Sequence, residues 1–548
     1  MLLFLAYGVL AVVVASPWIA QRTVEDLRFD DRLGTVPVEV GVVHNGYSVV
    51  DTGALGSIYL ERTGALGLGL SLRVTGPPDA GGTLASYVDP QFVRANTETL
   101  SEPDKVRAAY TSRLLDRFVA GFWPRALLVG VVGGLVLLRI GHPLLLRLHG
   151  RRRTLVAAAG ALGLLLFATG VATWQHRVWE GTDEPGELFP MAEVPGLSFS
   201  SAQIREVAAQ VRPFIDKNVQ RSKQRADDYE RLAEGSIRNG VPASAAGLQP
   251  REGERVILAE GDPQGSQVGT AVREVLYEEL REALGEDALL ARTISGDVTS
   301  NGTVAEKEFV DDEVAASDGL PVVAVKGDHD STTTVEQLED AGADVPDREV
   351  VEVDDVRFTG GADPEFKSLF GGSVVNPSGV TPTERGAEVR AEVEDDDPQQ
   401  PVHVLVHQND AALGYLGLDD MTELRSLPAE GAGYTTPRDD GVDDLPPGSL
   451  TYGHWHESDG PWVIWNTDTE EVTWTLVDQV GTSGGVEEAP TFNRFSTPYS
   501  PPLKPIEVRL HYVDTESGLV TGFVSITLST DGELRISGRT DVGVRRPR

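Results

Sequence analysis

Five apolar runs in the second half of this chain each end in aspartate or histidine. "RVILAEGD" stops at Asp262, "LLARTISGD" at Asp297, "PVVAVKGDHD" at Asp328, His329 and Asp330, "PVHVLVHQ" at His407, and "SLTYGHWHE" at His454 and His456. Carboxylates and imidazoles together suit borderline divalent cations. Two such ions about 3.5–4 Å apart, bridged by one carboxylate, lower the pKa of a shared water so that it can attack. Phosphate esters match that chemistry, because cations neutralise phosphoryl oxygens while a nearby imidazole protonates the leaving oxygen. Each motif alone says little. A Gly-Asp after a strand is most often a turn, and the i, i+2 pair His454 and His456 more often lines a half-exposed strand than a metal. The joint pattern says more: four of the ten histidines, His329, His407, His454 and His456, fall at these run ends. His403 lies inside a run, where alternation assigns it to packing.

The elements that must position these groups alternate. Between the first two runs, "VGTAVREVLYEELREAL" places Val272, Val275, Leu276, Leu280 and Leu284 on one helical face. Strand and helix patterns in turn argue for an α/β core from about residue 250, with ligands at the carboxyl ends of its strands. From about residue 460 the pattern changes to hairpin strands, expected to form a second sheet packed on the first. "VEDDDPQQP", residues 393–401, lacks the Asp-x-Asp-x-Asp-Gly alternation of a calcium loop and reads as solvated. Lys326 either adds positive charge near the site or lies on the surface, and the surface is the expectation.

The order of these motifs resembles the signature of calcineurin-like metallophosphoesterases over about residues 250–480. That signature runs Asp-x-His, Gly-Asp, Gly-Asn-His-Asp, His, Gly-His-x-His; here it is carried by Asp262, "SGDVTSNG", "KGDHD", "LVHQ" and "YGHWH". The resemblance implies a two-sheet β-sandwich flanked by helices and two divalent metal ions, drawn from Mn, Fe, Zn or Mg. It implies that Asp297 bridges the metals, that Asp262 and His456 serve the first, and that Asp328, His407 and His454 serve the second. His329 would stand beside the phosphate as general acid, oriented by Asp330 through a charge-assisted hydrogen bond.

Two positions depart from the family pattern. Asp328 replaces an asparagine and remains an oxygen ligand. Gln264 stands where the first block has histidine, and an amide oxygen is a poorer ligand than imidazole for zinc or iron. A register slip would offer Glu260 in its place. Either way the first site is weakened or suited to a hard ion such as Mn²⁺ or Mg²⁺.

The first half of the chain is a membrane region by composition. Residues 1–20, about 126–146 and about 154–174 are apolar and near 20 residues long, enough to span a bilayer. "RLHGRRR", residues 147–153, is the densest basic loop and is expected in the cytoplasm. The N-terminus would then be cytoplasmic, with residues 21–121 and everything after about 175 outside. The first segment lacks a basic n-region and a clean cleavage site, so it reads as an uncleaved anchor rather than a signal peptide. Arg139 in the second span reads as tolerated by snorkelling. Such an N-terminus resembles that of bacterial family members anchored at the cell surface. The expected domains are a span at 1–20, a small β-rich module at 21–121, two spans at 122–175, a helical stalk or packing helix at 176–249, and the phosphoesterase-like domain at 250–548.

Composition limits the partners. The net charge is −37, which argues against a nucleic-acid backbone as partner, and there is no cysteine for a thiolate site or disulfide. The expected partners are a phosphate-ester substrate and the lipid bilayer. Two other classes compete with a hydrolase. Gln264 favours a degenerate member kept as a binding or scaffold module. The three spans could define a transporter or sensor, but they carry no paired intramembrane charges.

Overall fold

The computed structural model describes residues 1–33, 36–51, 56–61, 67–75, 103–141, 143, 151–182, 185–192, 194–367, 374–467, 471–487 and 500–544. The chain divides into an N-terminal unit, reaching to Phe214, and a C-terminal unit from Ile215 onward.

In the N-terminal unit, three helices are long and apolar enough to cross a membrane: α1 (Leu2–Glu25), the region Lys105–Ile140 that covers most of α2 (Pro103–Val136), and Thr154–Trp174 within α3 (Arg151–Thr182). Small residues let α1 and α2 approach closely. A Cβ added at Gly133 would lie 2.5 Å from the Ala11 side chain, and one at Gly8 would lie 3.0 Å from the Gly130 carbonyl. Helix α2 begins well before the expected second span, so residues 103–121 are helical rather than part of a β-rich module. Its first turns bury Val106, Tyr110 and Leu114, with Tyr110 packed 6.3 Å from Phe29. Residues 76–102 of the expected module, and the basic loop as far as residue 150, lie outside the described residues.

The sheet of this unit has seven strands in the order β1-β2-β5-β3-β4-β7-β6. Strands β1 (Arg28–Leu33), β2 (Val36–Val43), β3 (Ser48–Asp51), β4 (Ser57–Leu60) and β5 (Gly69–Val74) precede the helical pair α2–α3. The short β6 (Phe189–Pro190) and β7 (Leu197–Phe199) follow it, and β7 pairs antiparallel with β4. The module is therefore assembled from both flanks of the pair, and part of the expected stalk belongs to it.

The C-terminal unit is mixed α/β with two sheets. The first has the order β10-β9-β8-β17-β18-β19, where β8 (Glu254–Glu260), β9 (Leu289–Ile294) and β10 (Val322–Ala324) are parallel and β19 (Leu534–Ile536) lies at the far edge. The second has the order β11-β12-β13-β14-β16-β15, where β12 (Val356–Gly360), β13 (Val402–Leu405) and β14 (Gly448–Tyr452) are parallel and β11 (Val351–Val353) pairs antiparallel with β12. Residues of both sheets, among them Ile257, Val323, Phe358, Leu405, Trp465 and Phe523, share one buried cluster. Helix α4 (Ala202–Leu248) buries Ala233, Ile237 and Val241 on the other side of the first sheet, together with α5 (Gln267–Leu284). So the C-terminal half of α4 is a packing helix, the second of the two roles the sequence allowed. Helices α8 (Pro382–Asp396) and α9 (Asn409–Leu416) bury Val389, Val393 and Tyr415 on the second sheet.

The tail corrects the sequence reading. It does not form the second sheet by itself. Strands β15 (Asp459–Asn466) and β16 (Thr473–Gln479) join the second sheet, while β17 (Ile506–Asp514) pairs antiparallel with β8 and carries β18 (Val520–Leu528) into the first. The tail supplies the second neighbour of β8, through β17, and of β14, through β16, while β10 stays at the edge of its sheet.

His403 behaves as packing, its Nδ1 2.7 Å from Ser449 Oγ and its ring 5.3 Å from Phe358. Burial, with His511 nearby, lowers its pKa from 6.5 to about 3. The folded state keeps the ring neutral where the unfolded chain protonates, so stability drops as pH falls from about 6.5 towards 3. The slope is about 1.4 kcal/mol per pH unit. Thermal unfolding of the detergent-solubilised chain between pH 7 and 4 should show His403→Phe losing stability less steeply than wild type. Equal slopes would contradict this account.

Candidate metal centre

The sequence fixes the local route to each ligand. Strand β8 leads through Gly261 to Asp262, β9 leads through Ser295-Gly296 to Asp297, and β10 leads through Gly327 to Asp328 and His329. From the second sheet, β13 leads to His407 and β14 through Gly453 to His454 and His456. Helix α5 starts behind the first loop, where Ser266 accepts from Gly269 N–H, and α7 (Thr332–Ala341) starts behind the third, capped by Ser331.

These loops converge. Asp297, Asp328, His407 and His454 form one potential metal-binding group, and Asp262, Asp297 and His456 form another. In each, one ligand atom per residue lies within 4.8 Å of the others, and Asp297 belongs to both. His407 Nε2 is 3.3 Å from Asp297 Oδ2 and 3.3 Å from Asp328 Oδ1. His454 Nδ1 is 3.2 Å from His407 Nε2 and 3.8 Å from Asp328 Oδ1, and His456 Nε2 is 3.6 Å from Asp262 Oδ1.

The imidazoles are oriented as ligands. His407 Nδ1–H donates to the Ser295 carbonyl (2.9 Å), and His456 Nδ1–H donates to the Val486 carbonyl (2.8 Å). A carbonyl can only accept, so each Nδ1 carries a proton and each Nε2 faces the cluster, where the neutral ring can ligate. His456 Nε2, Gln264 Oε1 and His329 Nδ1 are buried and make no hydrogen bond. Buried polar atoms are normally satisfied, and several orphans around one cluster of ligand atoms fit a metal-binding site.

Charge is concentrated here. Burial alone would raise the Asp297 carboxyl, but the His407 and His329 rings outweigh it and hold it well below the usual range. Burial would lower His407, yet Asp297 beside it raises it well above 6.5. Burial pushes Asp262 up, with Asp297 adding to the effect. Burial lowers His454 to about 4, His407 contributing, and lowers His456 to about 3. Both rings are thus neutral near pH 7, the form that ligates metal.

The backbone is strained at these positions. Asp262, Gln264, Asp297, His454 and His456 have φ of 53°, 43°, 53°, 74° and 56°, a region that side-chain-bearing residues rarely adopt. Such strain clusters at functional sites. Glycines admit the close approaches. A Cβ at Gly327 would sit 2.2 Å from Asp297 Oδ1, and one at Gly453 would sit 2.5 Å from Asp262 Oδ2. Backbone bonds clamp the loops together: His454 N–H donates to both Asp262 oxygens (3.0 and 3.1 Å), and His329 N–H donates to Asp297 Oδ1 (2.8 Å).

Gln264 joins the first group through its amide, which donates from Nε2 to Asp297 Oδ2 at 3.0 Å while Oε1 stays unbonded. Glu260 is not an alternative ligand. It is fully buried in a separate network, 2.7 Å from Arg273 and 3.1 Å from Arg292, and accepts from the Tyr277 hydroxyl.

Two further expectations need correction. Asp330 does not reach the His329 ring. Its carboxylate accepts from the N–H groups of Gly327 (3.0 Å), Val298 (3.1 Å) and Thr299 (2.8 Å) and from Thr299 Oγ1 (2.7 Å). It therefore braces the Asp297 and Asp328 loops against each other. Lys326 is not a free surface charge, because its ammonium donates to the carbonyls of Gly327, Asp363 and Glu365 at 3.1, 2.7 and 3.0 Å. It holds in place a loop that sequence reasoning missed. That loop carries the buried Asp363, raised to about 6 by burial, and Lys367, whose N–H donates to the Asp328 carbonyl. His329 Nε2 lies 3.9 Å from both Asp297 Oδ2 and Asp328 Oδ1, at the edge of the two groups.

No protein-family model matches this chain, and no curated protein matches it. The buried Asp and His groups, which could hold a metal ion, stand on their own geometry.

Proposed function

We propose that the C-terminal unit is a metal-dependent hydrolase of phosphate mono- or diesters, built as a calcineurin-like metallophosphoesterase. The observation that carries this reading is the sharing of Asp297 between two ligand groups drawn from five strand ends. Asp328, His407 and His454 would hold one divalent cation, Asp262 and His456 the other, with Asp297 common to both and Gln264 Oε1 beside the smaller set. Bound there, the cations supply Lewis acidity, neutralising phosphoryl oxygens and lowering the pKa of water. His329 stands clear of both ligand sets, its backbone fixed on Asp297, so its ring can donate a proton to a leaving oxygen. Asp330 and Lys326 are positioning residues that keep the loops in register.

The N-terminal helices would anchor this unit at a membrane. Strands β4 and β7 lie on either side of the α2–α3 pair in sequence and share one sheet, which supports both flanks lying on the same side. With the basic residues between the two helices on the cytoplasmic side, the C-terminal unit would lie outside.

Gln264 favours one rival, a scaffold that keeps the fold without turnover. Metal analysis of the purified chain, together with hydrolysis of bis-p-nitrophenyl phosphate in Mn²⁺, separates the two. Two metals per chain with turnover are expected. Fewer than one metal and no turnover would leave the scaffold.

A further inference from the structure

We infer that Trp455 is a stacking platform which makes this site prefer phosphate compounds carrying a planar aromatic group. The inference deepens the hydrolase reading and rests on the same site. Trp455 lies between the ligands His454 and His456 and is 45% exposed. Among the described residues of the C-terminal unit it is the only exposed aromatic; Trp462, Trp465 and Trp474 are all buried.

A single exposed apolar side chain needs no explanation by itself. This one, however, is held. Its indole N–H donates to Asn409 Oδ1 at 3.0 Å, and its ring meets the His454 ring edge-on at 5.8 Å and 74°. Asn409 lies two residues after His407, so the two contacts tie the indole to both loops that carry the histidine ligands. The indole is thus exposed, fixed by its polar edge and in ring contact with a member of the ligand cluster. A flat group attached to a phosphate seated at the ligands would meet that ring. Because the ring is already oriented, little rotamer freedom is lost on binding. Base–aromatic stacking of this kind changes affinity by about 10- to 100-fold. Nucleobases and aryl esters share the required chemistry.

The test is calorimetric binding of adenosine 5′-monophosphate, phenylphosphonate and methylphosphonate to the Mn²⁺-loaded full chain in detergent. Wild type should bind the two aromatic compounds at least about 10-fold more tightly than methylphosphonate. Trp455→Ala should reduce that ratio to about threefold or less, and Trp455→Phe should retain most of it, with metal content equal in all three proteins. The stronger of the two aromatic ligands identifies the source of the planar group. Equal affinity of wild type for all three compounds, no binding of any, or a ratio that survives Trp455→Ala would overturn the inference. Preference without turnover would instead sink the hydrolase reading and leave the platform standing.

Discussion

Replacing Asp297 with Asn is expected to take bound divalent metal from two ions per chain to fewer than one and to lower hydrolysis by about three orders of magnitude. Every other ligand serves one group, whereas this carboxylate serves both. Oδ2 is 3.3 Å from His407 Nε2 and accepts from Gln264 Nε2, while Oδ1 accepts from His329 N–H. An asparagine keeps the shape but turns an NH₂ group towards one of those donors, so one contact becomes donor against donor. It also removes the anion that raises the His407 pKa. The fold should survive, because the neighbouring loops are joined by backbone bonds that need no carboxylate, Asp262 N–H to Gly296 O and Gln264 N–H to Asp297 O. Cooperative thermal unfolding of the variant, beside its metal content, separates a lost site from a lost fold. Full metal loading with a wild-type rate would refute the shared role.

Much of this site was legible because the ligands sit where strands must end. A parallel strand buried on both faces reads as a continuous apolar run, and the first ionisable residue after it marks its carboxyl edge. The glycines were part of the same signal. Gly261, Gly296, Gly327 and Gly453 each stand just before a ligand, and those at 327 and 453 admit atoms that a Cβ would exclude. What the pattern could not distribute was partnership. Nothing in "PIEVRLHYV" states that it pairs with β8 rather than with the strands before it, since alternation fixes the faces of a strand and not its neighbour. Strands β6 and β7, of two and three residues, are too short for any period to register.

The roles of Asp330 and Lys326 were misread for a related reason. The family resemblance implied that Asp330 orients His329, but two successive residues on a turn point in different directions. The free N–H groups at the ends of β9 and β10 claimed the carboxylate instead. Lys326 looked like a surface cation because its carbonyl partners come from a loop without sequence periodicity.

Gln264→His carries the second large expected effect, on metal binding at the smaller group. That group has three ligands, Asp262, Asp297 and His456, against four in the other. Gln264 hydrogen-bonds Asp297 of that group through Nε2, and its buried Oε1 is unbonded. Amide oxygen is adequate for Mn²⁺ or Mg²⁺ and poor for zinc, so wild type should titrate with one tight and one weak equivalent of Zn²⁺. An imidazole at 264 supplies the missing nitrogen on a backbone already held at positive φ. The weak step should tighten by about 10- to 100-fold, the scale on which such changes tune metal sites. The tight step, set by Asp328, His407 and His454, should move far less. Calorimetric Zn²⁺ titration reads both steps without relying on turnover. Two equal steps in wild type, or a weak step that does not respond to histidine, would show that Gln264 does not limit the smaller group.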